Sequence, residues 1–339
     1  MHRVLVTHAD EPIGRRTVKT LFHDGGVETI LAVGHGPPPR AFDRYLGGSE
    51  PRVEYARVDL AKHRPISDLF HSSQFRSAEI DTLVYIPRHG AAASEAAPIV
   101  AGLAERTAET RLLMQHCLEA PGVSNLVALG SAFVYRLPPG NVNRLDEHSE
   151  LDLDPNVPSE IRSWIDCDMI LHGEVNNDRL RVVLLRVPTV VASGGYVYLN
   201  PALSGANGRR LRSFGFDPIC ALVSEKDVAR AIRTALHART SGVYNIAGNE
   251  AVPLSVLTRW IGRASTPIPG LLLPLAASAA RLFGGANAGS GRAAHLRYGF
   301  TLDTRRAERD LGFRPADRIG LSRAGDGTLR LETVSVTHA

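Results

Sequence analysis

Val4, Leu5 and Val6 lead directly into a short polar turn, Thr7 to Gly14, and the turn leads into an amphipathic stretch from Arg15 to Leu21. A brief apolar run, a turn and a helical period describe a buried strand feeding a helix, the first half of a βαβ unit. The pattern then repeats. Thr29 to Val33, Val53 to Val58, Asp81 to Ile86, Val123 to Leu129 and Leu180 to Leu185 read as strands, separated by helical stretches that include Ala93 to Glu119, with a break expected near Pro98, and Ser159 to Asn176. Such alternation predicts an α/β fold with a doubly wound parallel sheet covered by helices on both faces.

A strand-to-helix turn that holds a dinucleotide uses glycines, because the backbone must turn tightly and let the pyrophosphate approach main-chain N–H groups at a helix N-terminus. Gly14 is the only glycine in this turn. The segment nonetheless resembles the T-G-A-x-G-x-I-G opening of the extended short-chain dehydrogenase/reductase family, in its epimerase/dehydratase-like branch. Thr7, Ala9, Ile13 and Gly14 stand where that family has them, while His8 and Glu11 replace its first two glycines. The resemblance implies a Rossmann-type sheet with a nucleotide-binding domain over residues 1–190. It also implies a smaller substrate lobe over 191–321, some of its segments returning to the main sheet, and a polar tail or edge strand over 322–339. It further implies an NAD or NADP site formed by Thr7, Ala9, Ile13, Gly14 and Asp59, the last in an Asp59-Leu60 pair whose aspartate meets adenine in the family or caps the next turn.

Against that site stand several departures. Asp10 and Glu11 would face a dianionic pyrophosphate at about 5 Å, where a charge pair at an effective dielectric near 20 repels by roughly 3 kcal/mol. The second strand ends at Gly34-His35-Gly36 and three prolines, with no ribose-binding acid and no base for an NADP phosphate ahead of Arg40. Pro87 and Arg88 replace the small residues that the family's fourth strand lays along the cofactor. No cofactor is therefore expected to bind tightly.

The family's proton-transfer pair is a tyrosine and a lysine spaced Y-x-x-x-K, so that both lie on one helix face and the ammonium lowers the phenol's pKa. Lys19, Lys62 and Lys226 are the only lysines, and Arg15, Val58 and Leu222 stand four residues before them, so the chain contains no such pair. Aligned on the aromatic residue of the helix from Ser159, Trp164 takes the tyrosine slot and Asp168 the lysine slot, with His172 one turn on; aligned on Glu174, the slots fall to Asp166 and Ile170. Asp168 and His172 form either an acid/base couple at the cleft or a solvated pair on a helix face. The Gly130-Ser131-Ala132-Phe133-Val134-Tyr135 segment is similar to the family's S-S-x-x-V-Y-G, which makes Ser131 and Tyr135 further catalytic candidates, Ser131 being otherwise a cap. Arg186-Val187-Pro188 resembles the L-R-P exit toward the substrate lobe. Trp164, Pro188, Tyr196, Tyr198 and Asn200 are the expected pocket residues.

The late segments match the family more fully: Leu222 to Ala231 around Asp227, Gly242-Val243-Tyr244-Asn245-Ile246-Ala247-Gly248, and Asp303 to Pro315 ending in Leu311-Gly312-Phe313-Arg314-Pro315. These are scaffold motifs and carry fold rather than chemistry. The expected function is a degenerate member that binds a small molecule or catalyses a non-redox reaction of isomerase or cyclase type; the alternative is an NAD(P)-dependent reductase or sugar-nucleotide-type epimerase with unconventional cofactor binding. The family's habit of pairing through two helices also implies a homodimer or a complex with an active paralogue.

Composition bounds the rest. A formal charge of +4 comes from dispersed arginines rather than a basic stripe, which argues for a GC-rich, bacterial-type coding sequence and against nucleic acid. Cys117, Cys167 and Cys220 form no metal-ligand or disulfide pattern, so no metal is expected and a reducing cytoplasm fits. Met1-His2-Arg3 runs straight into the first strand without a signal peptide, and the apolar stretch Leu271 to Ala280 is too short to span a bilayer. Gly284 to Gly291 reads as a flexible loop.

Overall fold

The computed structural model describes residues 1–46, 52–88, 99–137, 144–155, 157–192, 197–198, 210–260, 265–269, 298–323 and 329–335. Its main sheet has seven strands: β1 (His2–Val6), β2 (Val27–Gly34), β3 (Val53–Arg57), β4 (Thr82–Tyr85), β5 (Asn125–Ser131), β6 (Arg181–Val187) and β7 (Gly242–Asn245). All are parallel and run in the order β7-β6-β5-β4-β1-β2-β3. The apolar run at the start of the chain is central because it has no polar face: Val4, Leu5 and Val6 are all fully buried.

Alternation along each strand sorts its side chains into two layers. Val4 and Val6 of β1, Ile30 and Ala32 of β2, and Val183 and Leu185 of β6 pack under helices α1 (Pro12–Phe22), α5 (Glu225–His237) and α6 (Arg305–Leu311). Leu5, Leu31, Val182 and Leu184 face the other layer, under α2 (His63–His71), α3 (Ile99–Glu119) and α4 (Ser159–Gly173). Of the helix expected from Ala93, the described part begins at Ile99, and Pro98 lies outside the described residues.

Pro188 decides where the chain leaves this sheet. Lacking an N–H, it cannot continue the ladder, and Thr189–Val191 joins a second, four-stranded sheet with Val197–Tyr198, Ile219–Ser224 and Ala251–Pro253. The late motifs are tied together physically: the Asp227 carboxylate accepts from the Ala316 and Asp317 amides at 2.9 and 3.1 Å. Between them, α6 ends on Gly312 at φ +66, a left-handed cap that suits glycine. Of the two forms expected after residue 322, a strand is what the described residues adopt: Leu329–Ser335 pairs antiparallel with Asp317–Arg323. The stretches Leu271 to Ala280 and Gly284 to Gly291 lie outside the described residues. No described helix is long and apolar enough to cross a membrane.

Candidate functional site

In an open parallel sheet, ligands bind beyond the carboxyl ends of the strands, where the strand order reverses. Here that point lies between β1 and β4. Thr7 closes its floor: Thr7 Oγ1 donates to the Ile86 carbonyl at 3.1 Å and accepts from the Ile86 amide at 2.8 Å. Ala9 is fully buried and Ile13 nearly so, as their places in the core of the turn require.

The turn keeps a left-handed backbone position where the first glycine of the resemblance would stand, without that glycine. His8 sits at φ +45, in the left-handed region that disfavours a side chain. Its ring is buried, and Nε2 meets Glu109 Oε1 of α3 at 2.9 Å. Burial lowers the His8 pKa, but the Glu109 carboxylate and its hydrogen bond outweigh burial and raise it above the usual histidine value. Asp10 reaches across to the end of β2, where Oδ2 accepts from the His35 and Gly36 amides at 3.0 and 2.9 Å. Arg15 donates to the Asp10 carbonyl at 2.9 Å, and Glu11 lies 3.9 Å from the Arg88 guanidinium. Gly14 is retained for packing: a Cβ there would lie 2.1 Å from the His8 carbonyl oxygen. The cavity lined by His8, His35, Asp59, Arg88, Arg106 and Glu109 measures about 10 Å³, room for no more than about one water.

Asp59 borders that cavity and also caps its own turn, accepting from the Ala61 amide at 3.2 Å and pairing with Lys62 at 3.0 Å. Burial opposes its ionisation, but those hydrogen bonds prevail and its pKa falls below the usual carboxylate value.

The slots of the tyrosine–lysine pair are built into a buried network. Trp164 packs among Val134, Val157, Ile161 and Ile165, with the Arg106 guanidinium 4.1 Å from its ring centre. Asp168 gives both oxygens to Arg186, at 2.8 Å to Nε and 2.7 Å to Nη2, and both side chains are 1% exposed. Arg186 Nη1 donates to Tyr135 Oη at 3.0 Å, and Tyr135 donates in turn to Asn245 Oδ1 at 2.7 Å. The Asn245 amide donates to Glu147 at 2.8 Å. Burial, only partly offset by Arg186, pushes the Tyr135 phenol up to about 12.

This network corrects the acid/base couple expected of Asp168 and His172. Asp168 faces inward on the stripe of Ile161, Trp164, Ile165 and Leu171 and engages Arg186, whereas His172 is exposed one residue past the stripe. The four-residue spacing was right for one helix face, but that face is split between core and solvent. Ser131 is buried and accepts from the Phe133 amide at 3.2 Å, the capping alternative for this residue. Pro188 is buried between the two sheets' strands, and Tyr198 lies in the strand Val197–Tyr198. Tyr196 and Asn200 lie outside the described residues. Glu109 and Arg186 were missed; each is a charge at the spacing of a buried stripe, Glu109 four residues before Leu113 and eight before Cys117, and Arg186 within a β6 otherwise apolar from Val182 to Val187. Among the described residues no cluster of three or more His, Cys, Asp or Glu is arranged to hold a metal ion.

Solved structures share this architecture over nearly the whole chain. DesIV, a dTDP-glucose 4,6-dehydratase from Streptomyces venezuelae with NAD and TYD bound, superposes with a TM-score of 0.64 at 18% identity, over 96% of this chain and 94% of its own. UDP-glucose 4-epimerase from Bifidobacterium longum, in complex with NAD+ and UDP, gives 0.61 at 15% identity over 92% and 93%. This is the extended short-chain dehydrogenase/reductase fold. MoeE5, in complex with UDP-glucuronic acid and NAD, has it too, with a TM-score of 0.62 at 20% identity over 94% of both chains. No protein-family profile matches the sequence. Among curated proteins, the uncharacterized protein Rv0501 of Mycobacterium tuberculosis is 26% identical over 320 residues, spanning 92% of this chain and 80% of the relative. Within the extended short-chain dehydrogenase/reductase fold, the cleft described above occupies the crevice at the β1–β4 switch point.

Proposed function

We propose that this chain is a small-molecule-binding protein on an epimerase/dehydratase-type scaffold, and that it does not run hydride chemistry. The observation that carries the reading is the turn after β1, where the side chains standing in place of the glycines are spent on internal partners: His8 on Glu109 and Glu11 on Arg88, with Asp10 on the β2 amides. The cavity beside His8 and Glu109 measures only about 10 Å³. A dinucleotide's pyrophosphate would also meet carboxylates. The residues present therefore do not fit the dinucleotide in its usual pose.

The tyrosine and lysine slots support the same reading. Trp164 has no acidic proton to give and Asp168 is held by Arg186, while burial raises the phenol of Tyr135 in the same network and favours its neutral form. The NAD-bound state of the solved neighbours is the argument for the alternative, an NAD(P)-dependent reductase or epimerase, and it rests on fold alone. We assign any self-association, or pairing with an active paralogue, to the outer faces of α3 and α4, which pack side by side.

Calorimetric titration with NAD, NADH, NADP and NADPH tests the reading. It predicts no binding at millimolar cofactor; micromolar affinity, about −8 kcal/mol, would overturn it and make the redox reading the leading one.

A further inference from the structure

A second cleft lies at the opposite end of the main sheet's strands, where they begin, and it is independent of the crevice discussed above. It is formed by the last turn of α5, the loop leading into β7, the end of α6 and the turn before β2. Arg233, Thr234, His237, Arg239, Thr240 and Asp310 line it, and its volume is about 510 Å³. That is within the range of small-molecule sites, roughly 300–1,000 Å³.

The negative groups around this cleft are already engaged. Asp24 accepts from His237 Nε2 at 2.8 Å and from the Gly26 amide at 2.9 Å. Asp310 pairs with Arg309 at 2.7 Å and with Arg306 at 3.7 Å. The carbonyls at the C-terminal end of α5 would otherwise repel an anion, but Arg181 donates to those of Ala235 and Leu236 at 2.9 and 3.1 Å. Thr240 and Tyr244 hydroxyls hold each other at 3.1 Å, and the Arg306 guanidinium lies 5.1 Å from the Tyr244 ring centre, closing one wall. Arg233 and Arg239 remain. Both are exposed and line the cleft, Arg233 lying near enough to Asp24 to favour its charged form.

Two guanidiniums facing one cleft whose carboxylates are hydrogen-bonded or paired elsewhere match a compact dianion, and the planar fork of arginine suits phosphate oxygens. A phosphate monoester carries close to two charges at neutral pH. We propose that this cleft binds a phosphate monoester of about mononucleotide size, with Arg233 and Arg239 holding the phosphate.

The test is titration calorimetry of the full chain with adenosine monophosphate and with inorganic phosphate at low ionic strength. Three variants are compared with wild type: Arg233→Ala/Arg239→Ala, Arg136→Ala/Arg64→Ala, which removes the same charge from exposed positions outside the cleft lining, and Glu109→Gln, in the β1–β4 crevice. The expected result is saturable binding that falls at least about tenfold in the first variant, equivalent to about 1.4 kcal/mol, and stays within about twofold in the other two. Adenosine monophosphate binding more tightly than inorganic phosphate supports the stated ligand size. Melting temperatures of the variants within a few degrees of wild type show that each is folded. Absence of binding at about 10 mM nucleotide, equal losses in the two arginine variants, or loss confined to Glu109→Gln would each overturn the proposal. The last pattern would move the ligand to the crevice, so this result and the dinucleotide titration fail separately.

Discussion

Replacing Asp168 with alanine removes one half of an ion pair whose two side chains are each 1% exposed and joined by two hydrogen bonds of 2.7 and 2.8 Å. The guanidinium of Arg186 then stays buried with only the Tyr135 hydroxyl, 3.0 Å away, and a long contact to the Glu147 carbonyl at 3.5 Å. Breaking such a pair from one side costs roughly 3–5 kcal/mol, mostly the desolvation of the charge left behind. With about 2.1 cal/mol/K of unfolding entropy per residue, a chain of 339 residues has about 0.7 kcal/mol/K in all. The expected drop in Tm is therefore about 4–7 °C, measurable by calorimetry or circular dichroism. His172→Ala, on the exposed side of the same helix, should shift Tm by less than about 1 °C. Asp168→Leu combined with Arg186→Met removes both charges and should recover most of the loss, because a buried pair contributes little net stability over an apolar replacement. A Tm change under about 1 °C in Asp168→Ala, or an equal change in His172→Ala, would refute the assignment of Asp168 to a structural lock and restore the acid/base couple.

Three further outcomes are expected. His8 has a raised folded-state pKa, so its contribution to stability is complete below the unfolded value of about 6.5 and is lost as pH rises through the folded value; urea denaturation from pH 6 to 9 should show a decline that Glu109→Gln abolishes, and parallel curves would remove the pair from the account. Gly14→Ala places a methyl 2.1 Å from the His8 carbonyl and must shift α1 off β1, at a cost of about 3 kcal/mol in chemical denaturation; a loss under about 1 kcal/mol would show that the helix has room there. His8→Gly combined with Glu11→Gly relieves the left-handed strain at His8 and removes the Glu11 carboxylate, and should raise NAD affinity at least about tenfold by calorimetry; no gain would mean that other groups close the crevice.

Some of the site was legible in local sequence. The absence of any Y-x-x-x-K was decidable because the chain has three lysines, and the glycine replacements at His8 and Glu11 were visible by position. The capping alternative for Ser131 needed only its own neighbours, and the structure pairs it with the Phe133 amide two residues on. The Asp168–His172 couple failed for a reason that spacing alone does not carry. Residues four apart share a helix face, but which part of that face is core depends on how α4 is rotated against the sheet. The buried stripe of Ile161, Trp164, Ile165 and Leu171 already included position 168, a charge where an apolar residue would serve, and that mismatch was the available signal.

The fold itself followed from properties each segment carries alone. Val4-Leu5-Val6 has no polar face and must be a central strand; Pro188 cannot continue a ladder and ends β6; Gly312 supplies the left-handed cap that closes α6. These are local consequences of side-chain polarity and backbone freedom, so the sequence determined them without reference to the rest of the molecule. The side-chain partners were decided otherwise. His8 and Glu109 are 101 residues apart, Tyr135 and Asn245 are 110 apart, and Arg233 and Arg239 face one cleft only because α5 ends beside α6 and the turn before β2. Strand order and helix rotation bring those groups together, and both are set by the packing of two apolar layers against one sheet, a property of the whole chain that no single segment encodes.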